Sequence, residues 1–202
     1  LSAFDGEGVT VKGGSGDDVL VASAGVNSAA DVLQGGAGDD TLVAGSNGAT
    51  LTGGEGMDLF VLGATSVTTG SNEANTYSTI TDFSAGDLLQ LSFVSQGVLP
   101  ADPADDVVTV VSSFAKLTAT LNASTAVFSD YVNAAMAQSQ ATAGDGDAVW
   151  FMIGNNSYVV IDSGEQTTDG TFANGEDLII QLAGVNLNNS SFNADFGTVA
   201  LV

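Results

Sequence analysis

The first third of the chain repeats a nine-residue pattern, and no other feature limits so tightly what the chain can fold into. Three segments superpose: GGSGDDVLV from Gly13, GGAGDDTLV from Gly35 and GGEGMDLFV from Gly53. Each has the form G-G-x-G-x-D-x-U-x, with U a large apolar residue. Their starts lie 35 − 13 = 22 and 53 − 35 = 18 residues apart, which is two nonapeptides plus a four-residue insertion and then two nonapeptides. Degenerate units fill the intervals: FDGEGVTVK ends at Lys12, VNSAADVLQ at Gln34 and AGSNGATLT at Thr52, and they keep Val11, Leu33 and Leu51 at the apolar eighth position. Self-similarity at this period reads as successive half-turns of a parallel β-roll, each a glycine-rich loop leading into a very short strand. Alternate loops then stack along the same edge, and Leu20, Leu42 and Phe60 point into the roll.

The repeated residues suit a metal. Paired glycines permit a backbone with φ > 0 and turn carbonyl oxygens inward, and the sixth-position aspartate adds a charged oxygen. One loop supplies too few ligands alone. Ions are therefore expected between the loops that start at Gly13 and Gly35, and between those that start at Gly35 and Gly53. Asp18, Asp40 and Asp58 are the principal carboxylates, with Gly14, Gly16, Gly36, Gly38, Gly54 and Gly56 as the backbone positions of the site. The opposite edge is the weaker candidate, because Asp31 stands at its sixth position where neighbouring units offer Val9 and Ala49. Asp17 and Asp39, at the variable fifth position, read as solvated charges. Glycine and aspartate also favour ordinary hairpin turns, but three full matches in nonapeptide register favour the metal.

Composition selects the ion. Twenty-four acidic residues face only Lys12 and Lys116, a formal net charge of −22 that repels the compact state unless a cation neutralises it. The chain has no cysteine and no histidine, so zinc and the softer metals lack ligands, and among the oxygen-binding ions calcium is favoured. Nucleic acid and anionic membrane are excluded as partners, since almost nothing here can replace their counterions. Membrane insertion is excluded by the want of any apolar run near the roughly 18 to 20 residues of a span. Absence of cysteine fits the cytosol, and equally a secreted protein stapled by metal sites in place of disulfides. The start at Leu1, rather than Met, reads as a piece of something longer.

After the repeats the pattern changes. Residues 77 to 93, YSTITDFSAGDLLQLSF, read as an alternating strand, a glycine turn and a second strand, so a domain boundary is drawn between residues 76 and 77. Asp82 and Asp87 flank that turn and either ligate a further calcium or cap the turn. Beyond Pro100 and Pro103 the period becomes helical over about 113 to 141: Phe114, Leu117 and Leu121 share one face, and Val127, Phe128, Tyr131, Val132, Ala135 and Met136 recur at three and four. Ser113 and Ser124 are candidate N-caps and Gly144 a candidate stop. From Ala148 the strands AVWFMI and SYVVI flank a Gly154-Asn155-Asn156 hairpin signal, and DLIIQL and TVALV complete a set of short apolar strands, with Trp150 and Tyr158 assigned to the core.

With the nonapeptides, the segment ITDFSAGDLLQLS and the tail NADFGTVALV, the chain resembles the C-terminal region of RTX proteins exported by type I secretion. The segments TLNASTAVFSDYVNAAMA, GDGDAVWFMIGNNSYVVIDSG and GEDLIIQLAGV are similar to calcium-dependent surface-layer proteins of the Caulobacter type. The resemblance implies a mainly β fold: an RTX parallel β-roll over residues 1–76, then a β-sandwich-like cap with an inserted helical segment over 77–202. It also implies a secreted S-layer module on the cell surface that folds and self-associates on binding extracellular calcium, with the type I secretion machinery reading its C-terminus. The competing readings are the C-terminal module of a large adhesin or of a secreted hydrolase. Catalysis within these residues is not expected, because there is no histidine to act as base and no G-x-S-x-G elbow. The chain departs from longer arrays in having three complete nonapeptides with one interruption.

Overall fold

The computed structural model describes residues 8–23, 29–45, 48–62, 77–91, 93–94, 108–109, 111–122, 124–141, 147–162, 172 and 177–202. The nonapeptide region winds as a roll of alternating long and short strands: β1 (Thr10–Ser15), β2 (Val19–Val21), β3 (Asp31–Ala37), β4 (Thr41–Val43), β5 (Ala49–Glu55) and β6 (Leu59–Val61). Each strand pairs in parallel with the equivalent strand one coil on, β1 with β3 and β3 with β5, β2 with β4 and β4 with β6. Because side chains alternate across a strand, every coil sends one large residue inward from each sheet. Val11, Leu33 and Leu51 from one wall meet Leu20, Leu42 and Phe60 from the other, all buried. The inward positions expected from the repeat are thus the roll's core.

Residues 77–90 make a fourth coil and not a strand pair of their own. β7 (Ser78–Ile80) joins β5 with Leu51 opposite Ile80, and β8 (Leu88–Gln90) joins β6 with Phe60 opposite Leu89. The two strands therefore lie in opposite sheets. In this register Asp82 and Asp87 take the first and sixth places of a nonapeptide frame, and the boundary drawn at 76/77 falls inside the sheets.

A short antiparallel pair, β9 (Phe93–Val94) with β10 (Val108–Thr109), follows. The remaining strands are β11 (Ser113–Lys116), β12 (Asp147–Ile153), β13 (Asn156–Ile161), β14 (Leu178–Leu182), β15 (Ser190–Asn193) and β16 (Thr198–Leu201). They extend the roll's own walls. One sheet runs β1-β3-β5-β7-β14-β13-β12-β11 and the other β15-β16-β8-β6-β4-β2. A single apolar core consequently runs from the roll into the cap, where Trp150, Val159, Ile180 and Val199 continue it. The expected hairpin forms with Gly154 at φ 63° in its turn.

The helical segment is shorter than the spacing of Phe114, Leu117 and Leu121 suggests. Ser113–Lys116 is strand β11, pairing in parallel with the outer edge of β12, and the one α-helix of the described residues is α1 (Phe128–Ala141). Phe114 is drawn into the core by stacking on Trp150 at 6.4 Å and Phe192 at 5.8 Å, and the β12 edge takes up its backbone hydrogen bonds. Neither serine caps the helix: the Ser113 hydroxyl donates to Asp147 at 2.6 Å, and the Ser124 N–H donates to the Asn122 side chain at 3.0 Å. Asp130 in the first turn accepts the Val127 N–H instead, at 2.9 Å. Gly144 lies outside the described residues. Val132, Ala135 and Met136, on one helical face, close a second core against Val149, Phe151, Tyr158, Val160 and Ile179. Among the described residues no helix is long and apolar enough to cross a membrane.

Candidate metal centre

The loops of the complete nonapeptides stack on one edge of the roll. At the second and fourth positions the backbone has positive φ throughout, for example 126° at Gly36 and 124° at Gly38. At Gly36, Gly38, Gly54 and Gly56 stacking on the preceding coil leaves no room for a side chain: a Cβ on Gly36 would strike the Gly14 carbonyl oxygen, and one on Gly54 that of Gly36. The first-position glycines, absent from the candidate residues read from sequence, are as confined. A Cβ on Gly13 would come within 2.6 Å of both the Asp18 Oδ2 and the Gly35 carbonyl oxygen. One on Gly35 would meet the Asp40 Oδ2, and lie 2.6 Å from the Gly53 carbonyl oxygen. The first glycine of each doublet was the available signal, because it keeps open the space between a carboxylate and the next coil's backbone.

The sixth-position aspartates form a ladder. The Asp18 N–H donates to the Asp40 Oδ1 at 2.8 Å, the Asp40 N–H to the Asp58 Oδ1 at 2.9 Å, and the Asp58 N–H to the Asp87 Oδ1 at 3.0 Å. At Asp40 and Asp58 the link uses one carboxylate oxygen and leaves the other turned toward the residue's own glycine doublet. At Asp40, 1% exposed, that second oxygen is buried and has no hydrogen-bond partner. An orphaned buried carboxylate oxygen costs several kcal/mol unless a positive charge meets it, about 3 to 5 kcal/mol in broken buried pairs. Burial also pushes the Asp58 carboxyl above the ordinary range; the Asp40 N–H opposes this, and the charges of Asp87, Asp40 and Asp82 add to it. Among the described residues no three acidic side chains converge on one point. An ion here would be held by one carboxylate from each loop together with backbone carbonyls, a hard-oxygen set suited to calcium. When bound, calcium supplies the charge that this ladder lacks.

Other acidic residues are occupied. Asp82 accepts the Gly53 N–H at 3.0 Å and the Gly54 N–H at 2.9 Å, one on each oxygen, so it caps the third loop. Asp87 takes the Asp58 N–H on one oxygen and the Ser84 N–H at 2.7 Å and hydroxyl at 3.1 Å on the other. Asp87 thus caps the turn, whereas Asp82 bonds the third loop and not the turn it flanks. Asp17 and Asp39 are exposed, as expected of solvated charges, and in addition Asp17 accepts the Asp39 N–H at 2.9 Å and Asp39 accepts the Met57 N–H at 2.8 Å, a second, exposed ladder made possible by the tight coil spacing.

On the opposite edge Asp31, 2% exposed, accepts the Val9 N–H at 2.9 Å and both the N–H and hydroxyl of Ser23 at 2.7 Å. Burial raises its pKa, but those three hydrogen bonds outweigh burial and hold it below the usual carboxylate range. One rung on, the Ser78 hydroxyl accepts the Ala49 N–H at 3.1 Å. This edge is closed by hydrogen bonds, which is why Asp31 acts as a cap where the repeat suggested a ligand. Asp31→Ala is expected to destabilise the fold by about 1 to 3 kcal/mol through its orphaned donors, with calcium stoichiometry unchanged. A group whose folded pKa is depressed stabilises above its unfolded pKa, so the difference from wild type should close as pH falls through the folded pKa. Urea melts at neutral and acid pH, beside a calcium count, check both statements.

Residues 9–29 and 26–59 match the model of the RTX calcium-binding nonapeptide repeat, in 4 copies. No curated protein matches the chain.

Proposed function

We propose that this calcium-binding RTX module is the folding and assembly part of a secreted surface-layer protein, whose C-terminal region also carries the export signal. The observation that carries the reading is the carboxylate ladder with its orphaned Asp40 oxygen, which is incomplete without a cation. RTX repeat proteins typically leave the cell by type I secretion. In low cytosolic calcium the loops stay unliganded and mutually repelling, which keeps the chain extended for the secretion machinery. Outside, calcium near the affinity range of extracellular modules, about 0.1 to 1 mM, completes the loops and folds the roll. The continuity of both sheets into the cap transmits that ordering to the C-terminal strands. The module has no catalytic role in this reading.

Calcium titration followed by circular dichroism and light scattering, with electron microscopy of the product, tests it. The expected result is gain of β-structure followed by ordered two-dimensional assembly, both reversed by chelation. Folding without assembly would place the module in an adhesin or exoenzyme.

A further inference from the structure

The outer face of the six-stranded sheet differs from the rest of the surface. β2, β4, β6 and β8 each bury their middle residue and turn the other two outward. Those eight outward positions hold six aliphatic residues, Val19, Val21, Val43, Leu59, Val61 and Leu88, together with Thr41 and Gln90. None is charged, in a chain whose formal net charge is −22. Val19 is 58% exposed and Leu88 41%. Toward β16 the face hollows into a cleft of 770 Å³ lined by Leu59, Leu88, Phe192 and Phe196, the last 67% exposed, with Asp195 its one charged residue. The other wall of the roll is polar outside except at Val32, with Thr10, Lys12, Gln34, Thr50, Thr52 and Thr79. Its extension into the cap lies under α1.

Parallel sheets are ordinarily covered on both faces, and a contiguous exposed apolar patch marks an interaction surface. Charge decides what covers this one. With 24 acidic residues against two basic ones, most approaches between two copies set carboxylate against carboxylate. The uncharged sheet face is where a second copy approaches without that repulsion. Its strands also offer no charge by which a basic or acidic partner would be chosen, Asp195 standing at the cleft's margin, whereas the same face of another copy supplies the neutral, apolar complement.

We infer that this face packs against the same face of a second copy in a two-fold contact. The inference rests on the self-association proposed above and assigns it a surface. Its test uses the whole 202-residue chain in calcium. Val21→Glu with Phe196→Asp places charges on the face away from the calcium loops, and sedimentation velocity reads association while circular dichroism reads folding. Wild type should associate. The double variant should fold as wild type does but associate at least about 100-fold more weakly, since each contact would bury an unpaired carboxylate. Thr10→Glu, on the other wall, should associate normally. If Val21→Glu impairs folding, Phe196→Asp alone, outside the strands, should still weaken association. A folded variant that associates as wild type does overturns this face and leaves self-association standing. A wild type that stays monomeric in calcium overturns both.

Discussion

Chelating calcium should unfold the nonapeptide roll. Binding to the native state adds stability by mass action, and two ions at about 100 times their Kd contribute roughly 5 kcal/mol. That is of the order of a small domain's entire stability, about 5 to 15 kcal/mol. Removal also leaves the orphaned Asp40 oxygen buried and Asp58 beside the charges of Asp40, Asp82 and Asp87. The expected result in excess chelator is a loss of β-sheet ellipticity and of the cooperative urea transition, both restored by calcium and not by magnesium, which is too small and too strict in geometry for a carbonyl-built site. Because both sheets run from roll to cap, the cap should lose stability in the same transition.

The second large effect separates coil stacking from loop strain. Gly36 and Gly14 occupy the same place in successive loops, with φ of 126° and 117°. A Cβ on Gly36 would strike the carbonyl of Gly14, while one on Gly14 would meet nothing within 4 Å, since no described coil stacks beneath it. Both alanine variants bear the cost of an unfavourable backbone, about 1 to 3 kcal/mol. Gly36→Ala must also push two coils apart, about 1 to 3 kcal/mol more, and spoil the spacing between Asp18 and Asp40. Urea denaturation in saturating calcium should therefore rank Gly36→Ala well below Gly14→Ala in stability, and calcium affinity should fall chiefly in the former. Equal losses would mean that the coils are not in contact as described.

These effects trace to parts of the fold that differ in how plainly the sequence shows them. The G-G-x-G-x-D-x-U-x frame contains its own geometry: Leu20, Leu42 and Phe60 recur at one place, so their common direction follows from the period alone. The fourth coil escaped because the segment from Asp82 to Gln90 lacks the glycine doublet and follows the third repeat at a spacing of 82 − 53 = 29 residues. What holds it in the frame is long-range pairing, Phe60 with Leu89. Ser113–Lys116 misled for a different reason. Phe114, Leu117 and Leu121 are spaced as on a helix, but Phe114 and Leu117 serve different cores, one between the sheets and one under α1. Sheet order was beyond local pattern altogether, as it depends on β14 and β16 reaching β7 and β8 across the chain.

At the site, the residue types announced hard-oxygen chemistry, while the division of labour among carboxylates needed coordinates. Asp31 and Asp82 look like ligands in a repeat alignment. Their oxygens are instead satisfied by Val9, Ser23, Gly53 and Gly54. Asp40, at the same place in the nonapeptide frame as Asp18, is distinguished by burial between neighbouring coils.

Asp40→Asn tests the central claim most directly. The amide keeps an oxygen for the Asp18 N–H and replaces the orphaned carboxylate oxygen with a donor. Calcium affinity measured by titration calorimetry should fall at least about tenfold, about 1.4 kcal/mol, while the calcium-free variant is no less stable than calcium-free wild type, having lost a buried unpaired charge. Unchanged calcium affinity in Asp40→Asn would contradict the account, for the buried oxygen would then have no ion to hold.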